Sequence, residues 1–340
     1  MNFPVLVIGL GSMGKRRVRN LQALGFMNIF GFDKREDRTK EANSVYKITA
    51  FTDFEEAVKK SSAKAFIISL PPDIHHIYMK KAIELNIPFF IEASVVDTDM
   101  EKIIADAKQK KVFAAPSSTM YFHPAIQKIF EIVKSNYLGN LSNIMYHMGN
   151  YLPDWHTYEK VNEFYVSKKE TGGAREIVPF ELTWMTKLFG FPKQIVSTVK
   201  KTIEIEGASL IDDTYNSILD YGTFTMMLTV DVVTRHATRR LLINGSLRQL
   251  EWDWNTNEVQ VFHHDRQEWE VFTYEAIAAA GGYNKNITEQ MYIDEMHAFF
   301  RGIENPATYI NTLEEDHKVL KLLYLMEKSY AEKKFVEVKL

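Results

Sequence analysis

The stretch PVLVIGLGSMGKRRVRNLQALGFMNIFGFD, residues 4–33, decides the fold. Pro4 to Ile8 is a short apolar run that reads as a buried strand. Gly9-Leu10-Gly11-Ser12-Met13-Gly14 follows directly, then a basic helical stretch from Lys15 to Leu24. A second apolar run, Ile29 to Phe32, ends in Asp33. Strand, G-x-G-x-x-G turn, helix, strand and acid, in this order, are the parts of a dinucleotide-binding unit. Gly9 permits the tight turn. Gly11 has no Cβ, so a pyrophosphate can approach the backbone. Gly14 lets the helix pack closely on the strand. The helix N-terminus offers N–H groups and partial positive charge to phosphates. Asp33 stands nineteen residues after Gly14, where a carboxylate accepts hydrogen bonds from a ribose diol. That carboxylate repels a 2′-phosphate and so points to NAD. Lys34 and Arg35 follow at once and would pair with such a phosphate, which keeps NADP open.

At 340 residues the chain is long enough for two domains, each with its own core. Hydrophobic residues make up 46% and charged residues 25%, the balance of an ordinary soluble globular protein. A net charge of −3 gives no global field for nucleic acid, and no basic stripe or zinc spacing reverses that. With no cysteine there is no disulfide, thiolate metal site or cysteine nucleophile, and no metal is expected. No apolar run reaches membrane-spanning length, and the first residues lack the pattern of a signal peptide. The expectation is a cytoplasmic protein with no membrane or nucleic-acid partner.

Up to about residue 120, apolar runs alternate with helical patterns: Val45–Phe51, Asp53–Lys60, Ala65–Leu70, Ile74–Leu85, Phe89–Glu92, Met100–Lys110 and Val112–Ala115. Ala65–Leu70 is continuously apolar, as a parallel strand buried on both faces must be. Such alternation predicts a doubly wound parallel sheet, class α/β, over residues 1–120. Pro124–Asn136 makes one more helix. Residues 121–340 then change character. Leu141–Tyr151, Gln194–Glu204, Asp213–Asp220, Thr223–Thr234, Thr238–Ile243, Gln249–Trp254 and Glu258–Phe262 read as strands. Most of their connections are too short for crossover helices, which predicts an α+β domain with one large, mostly antiparallel sheet. Phe180–Phe189, Gln290–Gly302 and Leu313–Glu332 read as helices, the last two packing back on the body.

Several segments, taken in order, resemble the glucose–fructose oxidoreductase / inositol dehydrogenase / MocA family of NAD(P)-dependent oxidoreductases. One is the glycine turn. Ser69-Leu70-Pro71-Pro72-Asp73-Ile74-His75 is similar to the family's T-P-x-x-x-H turn, which closes over the nicotinamide half of the cofactor. Tyr121-Phe122-His123-Pro124-Ala125 through Tyr137-Leu138-Gly139 resembles its crossover helix. Asp213-Thr214, Tyr221-Gly222 and Asn244-Gly245-Ser246-Leu247 resemble its later sheet motifs. The resemblance implies a Rossmann domain followed by a substrate domain that pairs into dimers or tetramers through its sheet face. It also implies cofactor contacts at Gly9, Leu10, Gly11, Ser12, Met13, Gly14, Asp33, Lys34, Arg35, Leu70, Pro71, Pro72, His75, Glu92 and Ala93.

Two departures bear on chemistry. The family's Glu-Lys-Pro stretch reads Glu92-Ala93-Ser94, with an alanine in place of the lysine that points at the substrate. After Gly172-Gly173-Ala174, the family's Asp and His positions hold Ile177 and Glu181. The usual assignment of catalytic residues therefore does not carry over. Glu181, at the place of the histidine, is one candidate base, since a desolvated carboxylate can titrate near neutrality; otherwise it is a surface glutamate or a partner of Arg175. His156 is the other, on the segment Asn150-Tyr151-Leu152-Pro153-Asp154-Trp155-His156, where Trp155 can stack on a sugar face. Arg175 and Glu176 follow the glycines and are further site candidates. Lys168 and Lys169 would suit a carboxylate or diphosphate on the substrate, or are solvated surface charges. His263-His264 and the pair His236/Arg239 read as polar strand or turn residues. The function expected is an NAD(P)-dependent oxidoreductase acting on a hydroxyl or carbonyl of a sugar, cyclitol or sugar nucleotide. The alternative is a dinucleotide-binding sensor or partner subunit that has lost its acid–base groups.

Overall fold

Six short strands lie side by side in the order β3-β2-β1-β4-β5-β6, all parallel: β1 (Val5–Ile8), β2 (Ile29–Phe32), β3 (Thr49–Phe51), β4 (Ala65–Ile68), β5 (Phe89–Ile91) and β6 (Ala114–Pro116). The structure is a computed structural model and describes residues 3–155, 159–275 and 288–340. β1 and β4 are buried at every position, because helices cover both faces of the sheet. Those helices are α1 (Ser12–Ala23), α2 (Glu36–Val45), α3 (Phe54–Ser61), α4 (His75–Glu84) and α5 (Met100–Lys110). Local signals explain several ends. Asp53 caps α3 by accepting from the Glu56 amide at 2.8 Å. Gly11 caps α1, so the helix starts at Ser12, three residues earlier than the basic stretch suggested. The strand order reverses between β1 and β4, and both carry their loops at the carboxyl ends. Such a switch point is where open α/β sheets bind ligands.

After α6 (Pro124–Lys134) comes the larger sheet. Its strands are β7 (Leu141–Gly149), β8 (Gln194–Lys200), β9 (Thr214–Asp220), β10 (Thr225–Asp231), β11 (Thr238–Gly245), β12 (Arg248–Asp253), β13 (Glu258–His263) and β14 (Glu268–Thr273). Helix α7 (Ala174–Phe189) lies between β7 and β8 in sequence. The chain ends with α8 (Glu289–Glu304), α9 (Leu313–Glu332) and the two-residue β15 (Val336–Glu337). The nine strands run β14-β13-β12-β11-β7-β10-β9-β8-β15, and every pair but β7/β10 is antiparallel. Burial alternates along the strands, with Ile144, Tyr146 and Met148 inside and Met145 and His147 on the other face. Met145, Ile218 and Met227 are exposed apolar residues on that second face.

The chain divides into two compact units. The first is Met1–Thr119 with Tyr292–His317, and the second is Met120–Met291 with Lys318–Leu340. Residues 292–317, which include most of the helix α8 expected to pack back, group with the first unit, where Phe299 packs on Phe90 and Phe113. Among the described residues no helix is long and apolar enough to cross a membrane.

Candidate functional site

In the first unit the site is built around the glycine turn. Gly9 has φ +93°, and a Cβ there would lie 2.6 Å from the carbonyl oxygen of Ser69. The Ser69 amide donates to the Ile8 carbonyl at 2.8 Å, so the loops after β1 and β4 are in contact. A Cβ on Gly14 would overlap the carbonyl oxygen of Gly9. The first turn of α1 is therefore pressed against the turn itself, a closer approach than packing on the strand alone. No side chain caps this helix end, which leaves it suited to an anion.

Asp33 is buried at the end of β2. Its Oδ2 accepts from the Leu10 amide at 2.8 Å and from Arg38 at 3.3 Å, and its Oδ1 accepts from the Arg35 amide at 2.9 Å. A carboxylate has about four acceptor directions, which leaves room for a hydroxyl. Lys34 is exposed. The Arg35 guanidinium, the candidate for a 2′-phosphate, is held by Asp37 at 2.6 Å on the surface. Arg38 joins the site without having been expected from the sequence. Its Nη1 lies 3.4 Å from where a Gly11 Cβ would be, between Asp33 and the turn. Its only signal is its place one turn into α2, a helix too polar to be read from periodicity.

The turn after β4 is fixed from two sides. His75 is buried, and its Nε2 donates to the Leu70 carbonyl at 2.7 Å, which assigns the tautomer. Its Nδ1 is buried with no partner. Burial pushes its pKa down to about 4. Pro71 and Pro72 lead into the single turn Pro72–Ile74. On the other side the Ser69 hydroxyl donates to Glu92 at 3.1 Å. Arg17 holds Glu92 with two bonds of 2.7 and 2.8 Å, and reaches Glu295 at 2.8 Å. Glu295 also accepts from Ser117, the Ser118 amide and Thr119. Burial works against the Arg17 charge, but the two carboxylates outweigh it and hold its pKa above the ordinary value. Arg17 and Glu295 were not visible as site residues, because their partners are remote in sequence. Ala93 is half-buried beside Glu92 and presents only a methyl group.

The buried His75 makes a pH prediction. Its folded pKa of about 4 lies below the unfolded value of 6.5. As pH falls, the unfolded chain takes up the proton first. The stabilisation is therefore present above pH 6.5, is lost between 6.5 and about 4, and changes no further below that. His75 alone accounts for about 3 kcal/mol across this window. His123, pushed down to about 3 by burial, adds to it. Urea midpoints measured against pH should fall steeply for the native chain and less for His75→Asn. Equal slopes would contradict the assignment.

In the second unit, the structure corrects the expectation for Glu181. It is fully buried. Its Oε2 accepts from Tyr146 at 2.6 Å and Trp184 at 3.1 Å, and its Oε1 accepts from Arg239 at 3.0 and 2.5 Å. Every acceptor direction is in use, so no substrate proton can reach it. Its partner is Arg239, which had read as a polar strand residue, rather than Arg175. Burial works against the Arg239 charge, but Glu181 and Tyr146 together outweigh it and hold the Arg239 pKa above the ordinary value. Arg175 is likewise engaged: it donates to Glu327 at 2.6 Å and to the Glu170 carbonyl at 2.5 Å. Glu176 accepts from the Tyr165 hydroxyl at 2.5 Å. These two anchor the start of α7. Lys168 and Lys169 are exposed. His263 is buried between Arg248 and Glu270, and His264 is an exposed turn residue.

Trp155 is half-buried and closes the single turn Leu152–Asp154, its amide donating to the Leu152 carbonyl at 3.1 Å. His156 lies outside the described residues. The segment after β7 is tied to the loop after β10, since the Asn150 and Leu152 amides donate to the carbonyls of Asp231 and Val232. The Val232 amide donates to Asp213, and Asp212 lies beside Gly173. Three loops thus meet at one end of the nine-stranded sheet.

Residues 3–116 match the model of an oxidoreductase family with an NAD-binding Rossmann fold, GFO_IDH_MocA. No match to a curated protein sequence is significant. Solved structures align over nearly the whole length of both chains. An oxidoreductase from Agrobacterium radiobacter, in complex with NAD+, L-tartaric acid and magnesium, has a TM-score of 0.85 at 11% identity, covering 99% of each chain. Levoglucosan dehydrogenase in complex with NADH has 0.84 at 14%, covering 100% of each. GenD2 from gentamicin A biosynthesis, in complex with NAD, has 0.80 at 13%, covering 100% of this chain and 97% of that one. At these identities the likeness shows the fold. Residues 3–116 thus match the NAD-binding Rossmann domain of an oxidoreductase family, in a chain with the two-part fold of these structures.

Proposed function

We propose that the protein is an NAD-dependent oxidoreductase acting on a hydroxyl or carbonyl of a sugar, a cyclitol or a sugar nucleotide. The observation that carries this reading is the glycine turn, where Gly14 has no room for a Cβ and α1 has no side-chain cap. NAD, when bound, supplies the hydride acceptor or donor. The chain's own residues hold it. Amides of the first turn of α1 receive the pyrophosphate, Asp33 accepts from a ribose hydroxyl, and the Leu70–Pro72 segment, fixed by His75 and Glu92, forms a rigid wall. Structural likeness to levoglucosan dehydrogenase supports a polyhydroxylated substrate.

The proton of the reacting hydroxyl needs a base. Glu181 is assigned as the internal counter-ion of Arg239, which leaves His156 as the proposed acid–base group, with Trp155 as the stacking surface. Ala93 and the enclosed Glu181 favour the second reading, a dinucleotide-binding protein without chemistry. Incubation with NAD and a panel of sugars, cyclitols, uronic acids and sugar nucleotides separates the two. Absorbance of reduced nicotinamide should rise with at least one compound, and His156→Ala should slow that rise about a hundredfold or more. No reduction with any compound would favour the binding protein. Undiminished turnover in the variant would remove His156 from the mechanism.

A further inference from the structure

We propose that Arg235 is the recognition point for an anionic group, a carboxylate or a phosphate, carried by the substrate. This deepens the reading above and rests on it. β7 and β10 run parallel and finish together, Gly149 opposite Asp231. Beyond their ends the two chains stay joined, Asn150 to Asp231 and Leu152 to Val232, each at 3.1 Å. Asp231 also fixes the loop that follows, accepting from the Val233 amide at 3.0 Å and the Thr234 amide at 2.8 Å. A Cβ on Gly149 would overlap the Thr234 side chain, so the close fit of the loops needs glycine there.

On this fixed loop the Arg235 guanidinium carbon stands 3.7 Å from the centre of the Tyr151 ring. The stacking uses the face of the guanidinium and leaves its N–H edges open. Arg235 is exposed, and no carboxylate among the described residues pairs with it. The remaining residues include neither Asp nor Glu. Its neighbours in the unit differ. Arg239 is held by Glu181, Arg175 by Glu327 and Arg240 by Asp253. A planar cation that is oriented, unneutralised and open at its edge matches a carboxylate or a phosphate in bidentate geometry. It stands on the loop joined to the segment that carries Tyr151 and Trp155. The same platform offers an aromatic ring beside the cation, a combination that suits an acidic sugar.

The test is calorimetric binding to the NADH-saturated full chain, with glucose, glucuronate and glucose 6-phosphate as probes. Glucuronate or glucose 6-phosphate should bind at least about tenfold more tightly than glucose, and which of them does so identifies the anion. Arg235→Gln should reduce that advantage to within about twofold, with NADH affinity and melting temperature unchanged, and Arg235→Lys should recover part of it. Equal binding of all three, no binding of either anion, or an advantage that survives Arg235→Gln would overturn the proposal. These heats need no turnover. A chain that prefers anions through Arg235 yet reduces no NAD would refute the oxidoreductase reading alone.

Discussion

Gly14→Ala should abolish dinucleotide binding. A Cβ at this position would overlap a backbone oxygen, the Gly9 carbonyl, rather than the end of a flexible side chain. Neither partner can rotate away. Either α1 retreats from the turn or Gly9, itself at φ +93° and pressed on Ser69, must rearrange. Both responses misalign the helix N-terminus with the pyrophosphate. The expected loss is about a hundredfold or more in NADH affinity, with about 2–3 kcal/mol of stability, the upper range for overpacking. Lys15→Ala is the control. It removes only a partly exposed pair with Glu41 and should change stability by less than about 1 kcal/mol. Near-native NADH affinity in Gly14→Ala would mean that the cofactor is not held at this turn.

Arg239→Ala should cost about 3–5 kcal/mol in urea unfolding. It leaves the Glu181 carboxylate in a dry core, with only Tyr146 and Trp184 to donate to it. The paired replacement Glu181→Leu with Arg239→Met should recover most of the loss, because two apolar side chains of similar size need no counter-ion. This experiment also separates the two roles considered for Glu181. A catalytic base changed to Gln would stop turnover and leave folding almost intact. An internal counter-ion changed to Gln leaves Arg239 short of its partner, so stability falls while the folded fraction still turns over. Intact stability with abolished turnover in Glu181→Gln would restore it as the base.

Where a local pattern carries the information, sequence and structure agree closely. The glycine turn is a motif of adjacent residues, and Ala65–Ile68 is buried on both faces as its unbroken apolar run requires. α5 and α9 keep a helical period along their whole length, and their ends fall at the expected residues, Met100–Lys110 and Leu313–Glu332. Elements that bury little were lost. α2 buries only Thr39 and Ala42, and β14 is an edge strand whose residues are all at least partly exposed. The candidate site divides in the same way. Gly9, Gly14 and Asp33 are legible because one turn needs all three. Glu181 and Arg175 misled because their partners, Arg239 and Glu327, lie 58 and 152 residues away. A carboxylate at a family's catalytic position looks the same in sequence whether it faces a cleft or an arginine. Arg38 stands close to Asp33 but on a helix without periodicity, so nothing marked it.

The central claim is that the glycine turn and Asp33 hold a dinucleotide. Its most direct test is a fluorescence titration of the full chain with NADH and with NADPH in parallel. Asp33, buried and accepting from the Leu10 amide, predicts saturable binding of NADH at one site and weaker binding of NADPH. No saturable binding of either nucleotide would contradict the account.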